Sequence, residues 1–149
     1  MDLCGNFEHT IDGKGRVSVP ASFRDQLIDD LRLVVTPFTV MGQRCVDIYP
    51  YAEWQKLLAK FEALPKFGAK SLRFQMGYIG RSHRTEIDSA GRILLPPTLR
   101  QHAELKKDVV VSGHSTMFRL MDEGNYRKVM GELDAEAAED DGMFEDLNL

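Results

Sequence analysis

Phe7, His9 and Ile11 alternate with polar neighbours, a glycine-bearing polar segment follows, and Val17 and Val19 alternate again after it. Period-two alternation on both sides of a turn predicts a β-hairpin. Pro20 then suits the first position of a short helix whose Phe23 and Leu27 fall on one face. Leu33 to Thr36 and Val46 to Tyr49 are β-branched and aromatic runs that predict a second pair of strands. Trp54, Leu57, Leu58, Phe61 and Leu64 recur at helical spacing and predict an amphipathic helix.

The same order of elements returns later in the chain. The segment His9 to Pro20 aligns with Thr85 to Pro96, and Asp88 lies 76 positions after Asp12. At that offset Arg24 matches Arg100, Gln26 matches His102, and Leu33 to Thr36 match Val109 to Ser112. Val46 to Tyr49 and Trp54 match Phe118 to Met121 and Tyr126 at an offset of 72. Met117 to Leu120 is the last predicted strand, and Tyr126, Val129, Met130 and Leu133 predict the last helix. The chain is a duplicated unit. Its expected divisions are 5–52 for the first unit, 53–80 for a helix and linker, 81–124 for the second unit and 125–149 for a C-terminal helix and acidic tail. Each unit alone buries too little surface to be stable, since domains below ~60 residues are marginal. The halves are therefore expected to pack as one body.

Composition sharpens this picture where it is uneven. The net charge is −4 over 149 residues, yet Glu132 to Leu149 carries eight acids and no Lys or Arg. Residues 1–131 keep all 19 Lys and Arg against 15 acids, a net of +4, so the body is basic and the tail acidic. The acids Asp140, Asp141 and Glu145 do not follow the ligand spacing of a calcium loop and predict a frayed, solvated helix end. No run approaches the ~18 apolar residues that cross a bilayer. The N-terminus, with Asp2 and Glu8, does not resemble a secretory signal, so a cytoplasmic location is expected. Cys4 and Cys45 form neither a CxxC pair nor a disulfide framework. His9, His83, His102 and His114 lack metal-ligand spacing, Gly13-x-Gly15 lacks the rest of a nucleotide-binding loop, and no nucleophile-base set stands out. No catalysis, cofactor, metal, small-molecule substrate or membrane partner is expected.

The candidate chemistry lies in the turns Asp12-Gly13-Lys14-Gly15-Arg16 and Asp88-Ser89-Ala90-Gly91-Arg92. Across a bend, residues four apart can face each other, so each Asp can hold its Arg at the loop tip. Exposed ion pairs add only ~0.2–1 kcal/mol to stability. Recurrence of Asp and Arg while the residues between them change therefore points to a shared task for the Arg. Arg81 and Arg84, just before the second turn, are further candidates for phosphate contacts.

The segments HTIDGKGRVSVPASFR and TEIDSAGRILLPPTLRQHAEL, with VDIYPYAEW between them, resemble the signature segments of the MraZ family, whose halves each resemble an AbrB/SpoVT-type DNA-binding unit. The resemblance implies an α+β fold, a duplicated swapped-hairpin AbrB-like β-barrel with flanking helices. It also implies a ring-shaped homo-oligomer and a nucleoid-associated transcriptional regulator, commonly a repressor, that binds direct repeats in double-stranded DNA upstream of its own division and cell-wall gene cluster. Carried onto this chain, the DNA-reading positions are Asp12, Lys14, Arg16, Asp88 and Arg92. The second copy has Ala90 opposite Lys14, Met121 where the family has an aromatic, and Arg119 where it has an acid. The alternative is an antitoxin-like or scaffold β-protein acting through protein contacts.

Overall fold

The computed structural model describes residues 1–136 and 141–149. Glu139 and Asp140 of the acidic tail lie outside the described residues. The first half contains β1 (Asn6–Thr10), β2 (Arg16–Ser18), α1 (Ala21–Gln26), β3 (Arg32–Val40), β4 (Gln43–Pro50) and α2 (Tyr51–Glu62). After it comes α3 (Ala69–Arg73), which continues into a π-helical stretch, Phe74–Ile79. The second half repeats the order with β5 (His83–Glu86), β6 (Arg92–Leu94), α4 (Pro97–His102), β7 (Asp108–Gly113), β8 (Phe118–Asp122) and α5 (Glu123–Glu136). A short helix, α6 (Met143–Asp146), lies near the C-terminus. Pro20 and Pro96 sit one position before α1 and α4 as caps, at φ −52 and −58, so their fixed backbone launches each helix from just outside it.

The hairpins expected across the two polar turns do not form ladders, whereas β3 pairs with β4 and β7 with β8. β1 pairs antiparallel with β7 and β5 with β3, so the first strand of each half lies in the other half's sheet. β2 pairs with β6, and only the single bridge Ile11↔Val17 joins β1 to β2. Long-range pairing wins because it gives each unit's outer strand a partner and ties both halves into one sheet, whereas local hairpins would leave more unpaired backbone edge.

The result is α+β, with a six-stranded sheet ordered β1-β7-β8-β4-β3-β5 and a separate two-stranded ribbon, β2-β6. The implied barrel is not closed. At three residues each, β2 and β6 are too short to bridge the ends of the larger sheet, which stays open at β1 and β5.

The repeat imposes an approximate two-fold axis. Val17 pairs with Ile93, its own counterpart 76 positions on, and Asp47 pairs with Arg119, its own counterpart 72 positions on. The axis therefore passes through the ribbon and the β4–β8 seam. Strand alternation divides the sheet into two faces. Leu33, Val35, Val46, Ile48, Val109, Val111, Phe118 and Leu120 form the main core with Val17 and Ile93 of the ribbon and with Phe23 and Leu99 of α1 and α4. On the opposite face Val34 packs with Trp54 of α2 and Tyr78 of the π-helical stretch, while Cys45 and Met121 pack with Val129 of α5. The ribbon and its loops thus lie on one side of the sheet and the long helices on the other.

Candidate nucleic-acid interface

Each loop is built around its aspartate. Asp12 Oδ1 accepts the backbone N–H of Lys14 at 3.0 Å and of Arg16 at 2.9 Å, and Oδ2 accepts Arg16 Nε at 2.7 Å. The loop closes with Gly15 N–H donating to the Asp12 carbonyl at 3.0 Å and Asp12 N–H donating to that of Arg16 at 3.0 Å. Asp88 repeats the pattern, with its Oδ1 accepting the N–H of Ala90 and of Arg92, each at 2.9 Å. Its ion pair with Arg92 Nε is looser, at 3.4 Å, and that nitrogen is buried without a hydrogen bond.

These contacts set the electrostatics. The Asp12 carboxyl is held down to about 2, chiefly by the Arg16 backbone N–H, with partial desolvation opposing and the Arg16 side chain and Lys14 N–H adding to the effect. Asp88 is lowered as well, first by the backbone N–H of Arg92. Both carboxylates therefore stay ionised beside their arginines throughout the physiological range. Because Asp12 engages Arg16 through Nε, the two terminal Nη groups of Arg16 stand outside the loop's hydrogen-bond pattern. A guanidinium oriented from behind with its end-on fork free suits bidentate recognition.

The glycines make room for a second pair of cations. Gly15 and Gly91 have φ of +89 and +78, a region open to glycine. A Cβ at Gly15 would come within 2.7 Å of Arg100 Nε, and one at Gly91 would collide with the Arg24 guanidinium. Each loop is thus covered by the arginine of the other half's short helix. Arg24 and Arg100 were visible in the sequence as a matched pair, but nothing local tied them to the loops. Lys106 and Lys107 also adjoin the first loop, since Ile11 N–H donates to the Lys107 carbonyl at 2.9 Å. At the equivalent place beside the second loop, Ile87 N–H donates to the Leu31 carbonyl at 3.0 Å, and Asp30 precedes it. The first loop has the more basic surroundings.

The ribbon brings Arg16 and Arg92 together. Its register places Arg16 opposite Leu94 and Ser18 opposite Arg92, while Val17 and Ile93 between them are buried in the core. Arg16, Ser18, Arg92 and Leu94 therefore share the outward face. Arg16 and Arg92 keep 34% and 35% of their side chains exposed. Lys14 and the two aspartates are exposed at the loops.

Arg81 and Arg84 are held by other groups. Arg81 Nε donates to the Gly77 carbonyl at 3.0 Å. Arg84, opposite Val34 on the helix-bearing face, lies 5.0 Å from the centre of the Tyr51 ring and donates to its hydroxyl at 3.2 Å.

A buried polar cluster on that face escaped sequence reasoning. Asp47, fully buried, accepts Arg119 Nε at 2.7 Å and the Tyr78 hydroxyl at 2.5 Å. Tyr78 also meets the Tyr49 hydroxyl at 2.7 Å, and its carbonyl accepts Thr36 Oγ1 at 2.5 Å. Burial, reinforced by the Asp47 charge, pushes the neighbouring Cys45 thiol up to about 12, so it stays protonated. At the axis the two equivalent positions hold an acid and a base, Asp47 and Arg119, which pair.

A family model described as "MraZ protein, putative antitoxin-like" matches residues 3–76 and 79–146. The chain belongs to the MraZ family. The two matched segments of the MraZ model correspond to the two halves that exchange strands. Relatives named "Transcriptional regulator MraZ" include one from Saccharophagus degradans, 43% identical over 80% of this chain and 81% of the relative. Another, from Thermoanaerobacter sp. strain X514, is 34% identical over 99% of both chains. A third, from Citrobacter koseri, is 36% identical over 92% of this chain and 91% of its own. The MraZ relatives are named as regulators, not as enzymes. Among the described residues no helix is long and apolar enough to cross a membrane, and no group of three or more His, Cys, Asp or Glu is gathered to hold a metal ion.

Proposed function

We propose that this MraZ-family chain is a sequence-specific transcriptional regulator that reads double-stranded DNA with the outward face of its β2–β6 ribbon. The observation that carries the reading is the placement of two aspartate-oriented arginines, Arg16 and Arg92, on one face of one ribbon. Their Cα atoms, two residues apart along the strand and one strand apart across it, are separated by about 8 Å. That is two to three base-pair steps of ~3.4 Å. A major groove ~12 Å wide admits a two-stranded ribbon, and arginine pairs bidentately with guanine O6 and N7.

Around this centre Lys14, Arg24, Arg100, Lys106 and Lys107 supply phosphate contacts, which position the ribbon without reading sequence. Arg81 and Arg84, committed to Gly77 and Tyr51, act at most at the periphery of a curved path. The regulator acts at the nucleoid as a repressor of its own division and cell-wall gene cluster through direct repeats. A closed ring of identical subunits presents several ribbons to those repeats. Support for self-assembly comes from the open edges β1 and β5 and from exposed Phe67, Leu72 and Met76 around α3.

Electrophoretic shift titrations with the DNA upstream of the coding region test the reading. The expected result is preference for that duplex over a scrambled one, with affinity falling by about 0.9 in log–log slope for each phosphate neutralised. Equal affinity for the two duplexes at physiological salt would remove sequence-specific regulation as the function.

A further inference from the structure

Four residues share the reading face, and one is out of character. Leu94 is 54% exposed, directly across the ribbon from Arg16 and two residues from Arg92 on the same face. Its backbone is fixed on both sides. Ile93 before it is buried, and its own carbonyl accepts Thr85 Oγ1 at 3.3 Å. In the first half the equivalent position is Ser18. The two halves therefore offer the same arginines with different companions, Arg16 with Ser18 and Lys14, Arg92 with Leu94 and Ala90.

We infer that Leu94 is a specificity-determining residue that packs against the C5-methyl group of a thymine beside the base read by arginine. The inference rests on the proposed function and deepens it. In the major groove the thymine methyl is the apolar feature of the base-pair edges; the other groups there are hydrogen-bond donors and acceptors. An isobutyl group held between two guanidinium groups is matched to that edge. A protein surface covering Leu94 would have to desolvate both arginines as well, a cost that DNA meets with guanine and phosphate oxygens.

The asymmetry has a consequence for operator form. A perfectly two-fold ribbon would prefer a palindromic site, because each half would demand the same bases. With Leu94 on one side and Ser18 on the other, the preferred site has a direction. Copies of a directional site arranged around a ring read as direct repeats rather than inverted ones.

The test uses the full-length protein and duplexes selected by it from a random-sequence pool, with each thymine replaced in turn by deoxyuridine, which pairs identically but lacks the methyl group. One substitution is expected to weaken wild-type binding about fourfold, the value of one buried methyl-sized group, while the others change little. Leu94→Ser should bind the thymine and deoxyuridine duplexes alike while still preferring both to scrambled DNA, and Leu94→Met should keep the sensitivity. Circular dichroism confirms that the variants fold. Wild-type protein that discriminates selected from scrambled DNA yet ignores every methyl removal overturns the role of Leu94 and leaves the loop reading standing. Wild-type protein that selects no sequence at all overturns both.

Discussion

Replacing Arg119 by methionine removes one partner of a carboxylate with no access to water. Asp47 is fully buried, with one oxygen on Arg119 Nε at 2.7 Å and the other on the Tyr78 hydroxyl at 2.5 Å. Breaking a buried ion pair from one side costs about 3–5 kcal/mol, because the remaining charge keeps its desolvation penalty without compensation. Tyr78 still donates to one oxygen, and the Arg119 side chain is 24% exposed, so water can approach from that side. Both features put the loss at the low end, about 3 kcal/mol, which for a chain of this length is a fall in Tm of about 10 °C. The double variant Arg119→Met, Asp47→Leu removes both charges and should recover to within about 1 kcal/mol of wild type. Urea unfolding at one fixed protomer concentration gives the cycle, followed by fluorescence of Trp54, whose ring lies 5.2 Å from that of Tyr49 and 5.9 Å from that of Tyr78. A loss below 1 kcal/mol for Arg119→Met, or strictly additive effects, would refute the view that the two charges compensate each other across the seam between the halves.

Gly15→Ala should cost about 1–3 kcal/mol, since it forces a side chain into the left-handed region at φ +89 and displaces Arg100; thermal unfolding checks it. In carbon-detected titrations Asp12 should titrate at about 2 and Asp88 below the ordinary carboxylate value. Because both are depressed in the fold, their contribution is complete above the unfolded carboxylate value of about 4 and is lost only as pH falls toward 2, so the loops should be unchanged between pH 5 and 8. Arg16→Ala should move the Asp12 midpoint upward. Deleting residues 137–149 removes five acids together with α6, so it should raise affinity for scrambled DNA at low salt while leaving the thermal unfolding midpoint unchanged.

The legible parts of the fold were those governed by local period. Runs of β-branched and aromatic residues at Leu33 to Thr36 and Val46 to Tyr49 marked β3 and β4, which are buried on both faces, and the Trp54 to Phe61 stripe marked α2, which buries one face. Pairing was not legible. β1 and β5 are equivalent by repeat, so the same pattern fits a hairpin or an exchange, and the choice lies in contacts some hundred residues apart in the chain for β1 with β7. The stretch from Ala69 to Ile79 escaped because α3 buries no residue and Leu72 and Met76 stay exposed, so its apolar residues form no single stripe. Asp47 sits inside an apolar strand and Tyr78 inside that irregular helix, so neither revealed the other. Within the candidate site, Asp12 with Arg16 and Asp88 with Arg92 could be read directly, since a turn brings residues four apart together. Arg24 and Arg100 could not, because each reaches the opposite half's loop only after the strands are exchanged.

The central claim, that the two loops present Arg16 and Arg92 to base edges, is tested most directly by the ratio of cognate to scrambled affinity for the folded Arg16→Ala, Arg92→Ala double variant. Each specific arginine–guanine contact is worth about 1–3 kcal/mol, so the ratio should fall by roughly 30-fold or more. Lys14→Ala, a phosphate contact, should weaken both duplexes alike and leave the ratio unchanged. A folded double variant that retains the wild-type ratio would contradict the account and make the loops structural turns.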